Sequence, residues 1–563
     1  MSEIAPAWWT GAVVYQIYPR SFADSNGDGV GDLGGIIGKL DYLADLGVDV
    51  LWLSPIYASP QHDNGYDISD YQQVDPTFGT LEQFDELLGG VHARGMKLVM
   101  DLVVNHTSNE HPWFREAASS RDSPKRDWYW WKDARVGFDP GEKGGEPTNW
   151  GSAFSGPAWT LDQTTGQYYL HLFAPQQPDL NWENPEVRTA VYQMMNWWLN
   201  RGVDGFRMDV INYISKDISL PDGMVPPGSL WGDGAPHFAS GPRIHEYLQE
   251  MNREVFHGRE AKLITVGEMP GVTIEDARLF TDPERRELDM VFQFEHVGLD
   301  YGPGGKWDYQ GLDLRDLKTS WNRWQKGLAD TGWNSLYLNN HDQPRLVSRF
   351  GDDARYRWES ATLWATILHL HRGTPYIYQG EELGMTNVPF ESIADFRDLE
   401  SINHFHEATT HLGQDPAEVL ASLRIMSRDN ARTPVQWSGA EHAGFTTGVP
   451  WIDVNPNYVD INAEIDRAGK RSVFGYYRQL IDLRHKEEVV RLGDFHLLYA
   501  DHPTLYAFTR TWGAERLLVL GNVSGEAISL PDGSPAGELI LSNYQPGDCM
   551  VLRPWEARIL RVG

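Results

Sequence analysis

Short β-rich apolar runs alternate with amphipathic segments from the start of the chain. Runs at 13–17, 48–54 and 96–103 each give way to Gly, Pro or polar residues, which is the βα rhythm of a parallel sheet. Between the second and third runs, Leu81, Phe84, Leu87, Leu88 and Val91 recur at helical spacing, and Gly95 closes the segment where a C-cap belongs. The Gly89-Gly90 pair weakens the helix, so packing has to hold it. From about Asn105 to Pro178 no clean helical period is found, and a small inserted domain is predicted. The rhythm resumes where Asn184 caps a helix that starts with Pro185, carries Val187, Val191, Met194 and Trp198 on one face, and ends at Gly202. Strands are then predicted at 203–209, 262–267, 289–294, 335–339 and 374–379. That makes eight, the number of a (β/α)8 TIM barrel. Beyond a helical stretch at 474–485, alternating runs at 505–511, 516–521, 538–543 and 557–562 predict an antiparallel β domain. The expected division is a barrel from 1–104 and 179–486, an inserted domain at 105–178, and a C-terminal β-sandwich at 487–563.

Composition narrows the function. With 48 Lys+Arg against 79 Asp+Glu, the net charge of -31 repels phosphate backbones and anionic lipid, so nucleic acid is excluded as a partner. No run approaches the roughly 20 apolar residues of a membrane span. The only cysteine, Cys549, leaves no intramolecular disulfide, and the first residues lack a basic, then apolar, leader; a cytoplasmic protein is expected. The 23 Trp exceed what core packing requires and suit stacking on a neutral sugar.

In such a barrel, catalytic groups sit at the C-terminal ends of strands. Four strand ends finish in polar clusters: Asp101 to His106, Arg207-Met-Asp209, Gly267-Glu268, and Asn340-His341-Asp342. Cleaving a glycosidic bond takes one carboxyl to protonate the leaving oxygen and another carboxylate to attack or to activate water. Arg207 lies two residues before Asp209 on one strand, so both side chains share a face and the Arg holds Asp209 ionised as the nucleophile. Glu268 has no flanking base and is left to act as the acid.

These segments resemble glycoside hydrolase family 13, the α-amylase family. DLVVNHTS from Asp101, GFRMDVIN from Gly205, GEMPG from Gly267 and NNHDQPR from Asn339 look like its four signature regions, and QPDLN from Gln177 like its fifth. The resemblance implies a retaining mechanism with Asp209 as nucleophile, Glu268 as acid/base and Asp342 as a third acid that distorts and holds the sugar. It further implies sugar contacts from His106, Arg207 and His341. Tyr66 would stack on the terminal glucose, Asp67 would bind its hydroxyls, and Arg428 would close the pocket. The opening WWTGAVVYQIYPRSFADSNGDGVGDLGGI and Val210 after the nucleophile resemble the oligo-1,6-glucosidase group, which implies α-1,6-linked substrates such as isomaltose, isomaltooligosaccharides and panose. A transglucosidase, trehalose synthase or sucrose isomerase would share the pocket, although the Arg-Leu-Asp-Arg-Asp run of sucrose isomerases is absent. An α-1,4-preferring maltase is a further alternative, and a non-catalytic family member acting as a binding protein is a remote one.

The loop from Asp24 to Asp32 places oxygen side chains at every second residue, like the first half of an EF-hand, but lacks a Glu at the twelfth position. A polar Asx turn has the same composition. Resemblance to the glucosidase group implies a structural Ca2+ held by Asp24, Asn26, Asp28, Asp32 and the Val30 carbonyl, remote from the reaction.

Overall fold

The computed structural model describes residues 7–259 and 262–563. Among these residues eight strands form one parallel sheet: β1 (Val14–Ile17), β2 (Val50–Leu53), β3 (Lys97–Val103), β4 (Gly205–Asp209), β5 (Ile264–Glu268), β6 (Met290–Phe292), β7 (Ser335–Leu336) and β8 (Thr374–Tyr378). Their order is β6-β5-β4-β3-β2-β1-β8-β7, and a parallel bridge between Val291 and Asn334 joins the two edges into a barrel. All eight fall within the runs expected from sequence, apart from Glu268, which extends β5 by one residue. Strand alternation divides the apolar residues between two cores. Val14, Val50, Trp52, Val99, Val266 and Tyr376 belong to one cluster, while Val13, Tyr15, Leu51 and Leu53 belong to the larger cluster that includes the surrounding helices.

The helix Leu81–Ala93 starts in a capping box between Thr80 and Gln83, and Gly95 adopts φ +76 just past its end. Asn184 caps the helix Pro185–Arg201 through the Glu186 amide, and Gly202 ends it with φ +113. The segment after β3 carries a three-stranded antiparallel sheet, Trp131–Lys132, Gln167–Leu170 and Trp159–Asp162 in spatial order. It also holds a helix, Pro112–Ser119, where sequence showed no helical period.

The C-terminal sheet runs β9 (Asp494–Leu498), β10 (Leu505–Trp512), β11 (Glu515–Asn522), β13 (Ala557–Arg561) and β12 (Glu538–Ser542), every neighbouring pair antiparallel. Leu505, Ala507, Leu518 and Leu520 pack with Leu552 on one side, while Tyr506, Phe508, Leu517 and Val519 join the barrel's outer core. Among the described residues no helix is long and apolar enough to cross a membrane.

Candidate active site

Register brings the first acids together. Asp101 on β3 is paired with Arg207 on β4, and Val266, two residues before Glu268, is paired with Arg207 from the other side. Period-2 alternation then aims Asp101, Arg207, Asp209 and Glu268 at one point. The Arg207 guanidinium is buried and contacts all three carboxylates: Asp101 Oδ1 at 2.6 Å, Asp209 Oδ1 at 2.7 Å and Glu268 Oε1 at 2.7 Å. The expectation that Glu268 stands apart from any base is thus overturned, because a neighbouring strand supplies the base that its own strand lacks. Arg207 does not line the cavity. It lies behind the carboxylates and fixes them.

The two acids differ by environment instead. Burial pushes Asp209 up to about 7, opposed by Arg207 and aided by Asp101. Burial pushes Glu268 further, to about 8, with repulsion from Asp209 and Asp342 added against the pull of Arg207. Three acids around one guanidinium retain protons readily, and Glu268 gives up its proton last of this pair. Glu268 also accepts a 3.1 Å hydrogen bond from the Val210 amide. That amide is aimed by an unusual backbone: Val210 has φ +34 and ψ +41, left-handed for a β-branched residue.

Asp342 faces this pair with its own cations. Burial alone would raise it, but His341 at 3.3 Å and the guanidiniums of Arg428 at 3.2 Å and Arg432 at 2.8 Å hold it well below the usual carboxylate range. Arg428 reaches from Asp342 to Asp63 at 3.3 Å and is anchored on Asp398 at 2.5 Å, so it bridges two carboxylates of the cavity wall. His341 lies beneath that wall, its ring stacked on Tyr66 at 5.1 Å. Tyr66 itself lines the cavity and donates its hydroxyl to Asp101 at 3.0 Å. His106 also lines the cavity, and burial lowers it to about 4, so it is neutral.

Asp67 is placed otherwise than expected. It is fully buried and does not line the cavity; its carboxylate accepts the amides of His62 and Asp63, both at 3.0 Å, and the Ser59 hydroxyl at 3.1 Å. Asp67 builds the turn, and Asp63 at the other end of it presents the carboxylate to the cavity. Sequence reasoning missed Asp63, although the same acid-rich stretch contains it.

The acids stand in a cavity of about 670 Å³. Phe154, Phe173 and Gln177 from the segment after β3 and Trp231 and Phe238 from the stretch after β4 complete its wall. None of these was singled out as a binding residue from sequence, although Gln177 opens the fifth signature-like segment and the Trp is isolated among Gly and Pro. Val210 lines the cavity as expected.

The loop after β1 is folded on itself. Asp24 accepts the amides of Asn26, Gly27 and Gly29 and the Thr446 hydroxyl, Asn26 accepts the Asp28 amide, and Asp28 accepts the Val30 amide. Asp32 turns away to Ser25 and caps the helix Leu33–Ile37. These are Asx turns. The donors are all oxygen, which suits a hard cation. Among the described residues, however, no three carboxylate, imidazole or thiol groups stand close enough to hold a metal.

The family model for the alpha-amylase catalytic domain matches residues 16–493. The chain is 56% identical to an oligo-1,6-glucosidase of Parageobacillus thermoglucosidasius, over 99% of each chain. Among solved structures, it is similar to a trehalose-6-phosphate hydrolase of Bacillus licheniformis, with 48% identity, a TM-score of 0.91, and 99% of this chain and 100% of that one covered. A trehalulose synthase of Pseudomonas mesoacidophila MX-45 shares 41% identity with a TM-score of 0.93 and the same coverage. With its acids at the ends of parallel barrel strands and these matches along nearly its whole length, the chain belongs to the alpha-amylase family of glycoside hydrolases.

Proposed function

We propose that the protein releases glucose from the non-reducing end of short α-1,6-linked glucosides, with retention of configuration. The observation that carries this reading is the Arg207 clamp on Asp209 and Glu268. One guanidinium touching both carboxylates, each at 2.7 Å, holds them close together, which favours direct attack by Asp209 over activation of a water across a wider gap. Asp209 attacks the anomeric carbon as Glu268 protonates the departing glycosidic oxygen. Glu268 then takes a proton from water, the water oxygen attacks the anomeric carbon, and the bond to Asp209 breaks to free glucose. Asp342 stays ionised and holds sugar hydroxyls together with Asp63, His106 and Arg428. The Arg428 bridge closes one end of the cavity, which favours attack on a terminal residue.

The charges on the wall support a neutral leaving sugar. Asp233, Glu400 and Glu407 join the four inner acids, against only Lys306 and Arg428, and Lys306 is paired to Glu400 at 2.5 Å. A phosphorylated aglycone would meet repulsion there. Val210 and the 52–56% identity to proteins named oligo-1,6-glucosidase support the α-1,6 linkage. Glucosyl transfer to a second sugar would pass through the same intermediate with a different acceptor. A panel of isomaltose, panose, maltose, sucrose, trehalose, trehalose 6-phosphate and dextran tests the reading: isomaltose and panose are expected to give the highest kcat/KM with glucose as product. Preference for trehalose 6-phosphate, or for an isomerised disaccharide as product, would overturn it.

Two further parts of the reading stand on chemistry alone. The oxygen-only donors of Asp24, Asn26, Asp28, Asp32 and the Val30 carbonyl suit a structural Ca2+ that would stiffen the loop after β1. The single thiol, Cys549, fits the reducing cytoplasm.

A further inference from the structure

A second large cavity, of about 840 Å³, shares no lining residue with the catalytic one. It lies where the helix Val473–Lys486 and the loop before it meet the helix Arg357–Leu370 and the end of β12. Its charge runs against that of the chain. In a protein with 79 acidic and 48 basic residues, five cations, Arg467, Lys470, Arg471, Arg478 and Arg553, line this cavity against one carboxylate, Asp45.

The cations are held but not used up. Arg467 and Arg478 share the single Asp45 carboxylate, at 2.8 and 3.2 Å, so one positive charge of the two goes uncompensated. Arg471 lies 4.3 Å over the Trp358 ring and pairs with Glu359; Arg553 lies 4.2 Å over the Tyr544 ring and pairs with Glu556. The rings hold these guanidiniums by cation–π contact while each retains spare N–H donors. Arg467 and Arg478 pair with Asp45 at the surface, and such exposed pairs contribute so little that a doubly charged oxyanion can displace them, while Arg471 keeps its buried partner Glu359 and offers its remaining donors. With Asp45, Glu359 and Glu556 counted, five cations face three carboxylates, so an excess of positive charge remains at the cavity that a bound anion offsets.

We propose that this cavity binds a phosphorylated small molecule. Arg467, Lys470, Arg471 and Arg478 hold the phosphoryl oxygens, and the body of the ligand rests toward Trp358 and Tyr544. The volume falls within the range of small-molecule sites, wide enough for a sugar phosphate.

The test is titration calorimetry of the full chain at low ionic strength, with saturating glucose occupying the catalytic cavity. The probes are inorganic phosphate and glucose 6-phosphate. One saturable site with a Kd of about 1 mM or tighter is expected. The Arg471→Gln/Arg478→Gln double variant should bind at least roughly tenfold more weakly, since it removes two charge-assisted donors. Its turnover of isomaltose without added phosphate should match the parent, because neither residue lines the catalytic cavity. Equal affinity for both probes identifies free phosphate as the ligand, and tighter binding of glucose 6-phosphate identifies a phosphorylated sugar. Absence of saturable binding, or binding unchanged in the double variant, overturns the proposal. If the double variant does not fold, Lys470→Gln, changed at an exposed side chain, replaces it, and an unchanged Kd there is equally decisive.

Discussion

Replacing Val210 with Ala separates three roles that the residue holds at once. The substitution removes two methyl groups from the cavity wall while keeping the amide that donates to Glu268. An α-1,6 bond places a flexible CH₂ between the sugars, whereas an α-1,4 bond brings the second ring directly against the wall, which the stiff Val narrows. Such small volume changes alter discrimination by about 1 to 3 kcal/mol, or roughly 10 to 200-fold. The isomaltose-to-maltose ratio of kcat/KM should therefore fall within that range, as a shift and not a reversal. Stability should barely move. Two buried methyls contribute about 1.6 kcal/mol at about 0.8 kcal/mol each, and the left-handed strain of about 1 to 3 kcal/mol that Ala partly relieves offsets this loss. Hydrolysis of an activated aryl glucoside, which has no second sugar, should be unchanged. An unaltered linkage ratio would refute the role in selectivity. A parallel loss on the aryl glucoside would show that Val210 acts through Glu268 instead.

Asp209→Ala should abolish turnover of natural and aryl glucosides alike, while Glu268→Gln should lose several orders of magnitude on isomaltose yet keep first-step activity where the leaving group needs no proton; equal losses of Glu268→Gln on both substrates would reverse the assignment. With Asp209 near 7 and Glu268 near 8, kcat/KM should peak between those values, falling on the acid side as Asp209 is protonated and on the alkaline side as Glu268 ionises. Glu268 titrates higher folded than unfolded, so its contribution to stability is full below the unfolded value and is lost as pH rises through about 8. Glu268→Gln should accordingly raise Tm above about pH 8 and leave it unchanged near about pH 4; a uniform shift at all pH values would contradict this sign. Calcium should raise Tm and chelator lower it with little change in initial rate, and Asp28→Ala should remove the response; a Tm indifferent to calcium would leave the loop after β1 as Asx turns only.

The barrel was legible because each buried parallel strand falls in a short, largely apolar run bounded by punctuation, and the helix ends because Gly95, Asn184 and Gly202 carry local capping chemistry. The strand Asp494–Leu498 escaped notice because it is a short edge strand in which Asp494 and His496 are exposed and none of the five positions is fully buried. Which side chains meet was legible within one strand but not across strands. Arg207 and Asp209 could be placed on a common face, but the reach of Arg207 to Glu268 depends on register between β4 and β5. Asp63 and Asp67 illustrate the same limit: both are acids beside Tyr66, and only the curl of the turn decides which one its own amides consume. The left-handed Val210 was hidden because a β-branched side chain argues against that conformation.

The Arg428 bridge between Asp63 and Asp342 makes chain termini, and not linkages, the unit of reaction. A long glucan presents one end however many bonds it contains, so at equal mass of sugar the initial rate rises as the chains shorten. A branched glucan outruns a linear one of the same mass, in proportion to its tips. Eroding a polymer from its ends also leaves the remaining chains long, so viscosity drops slowly while free glucose accumulates from the first turnover.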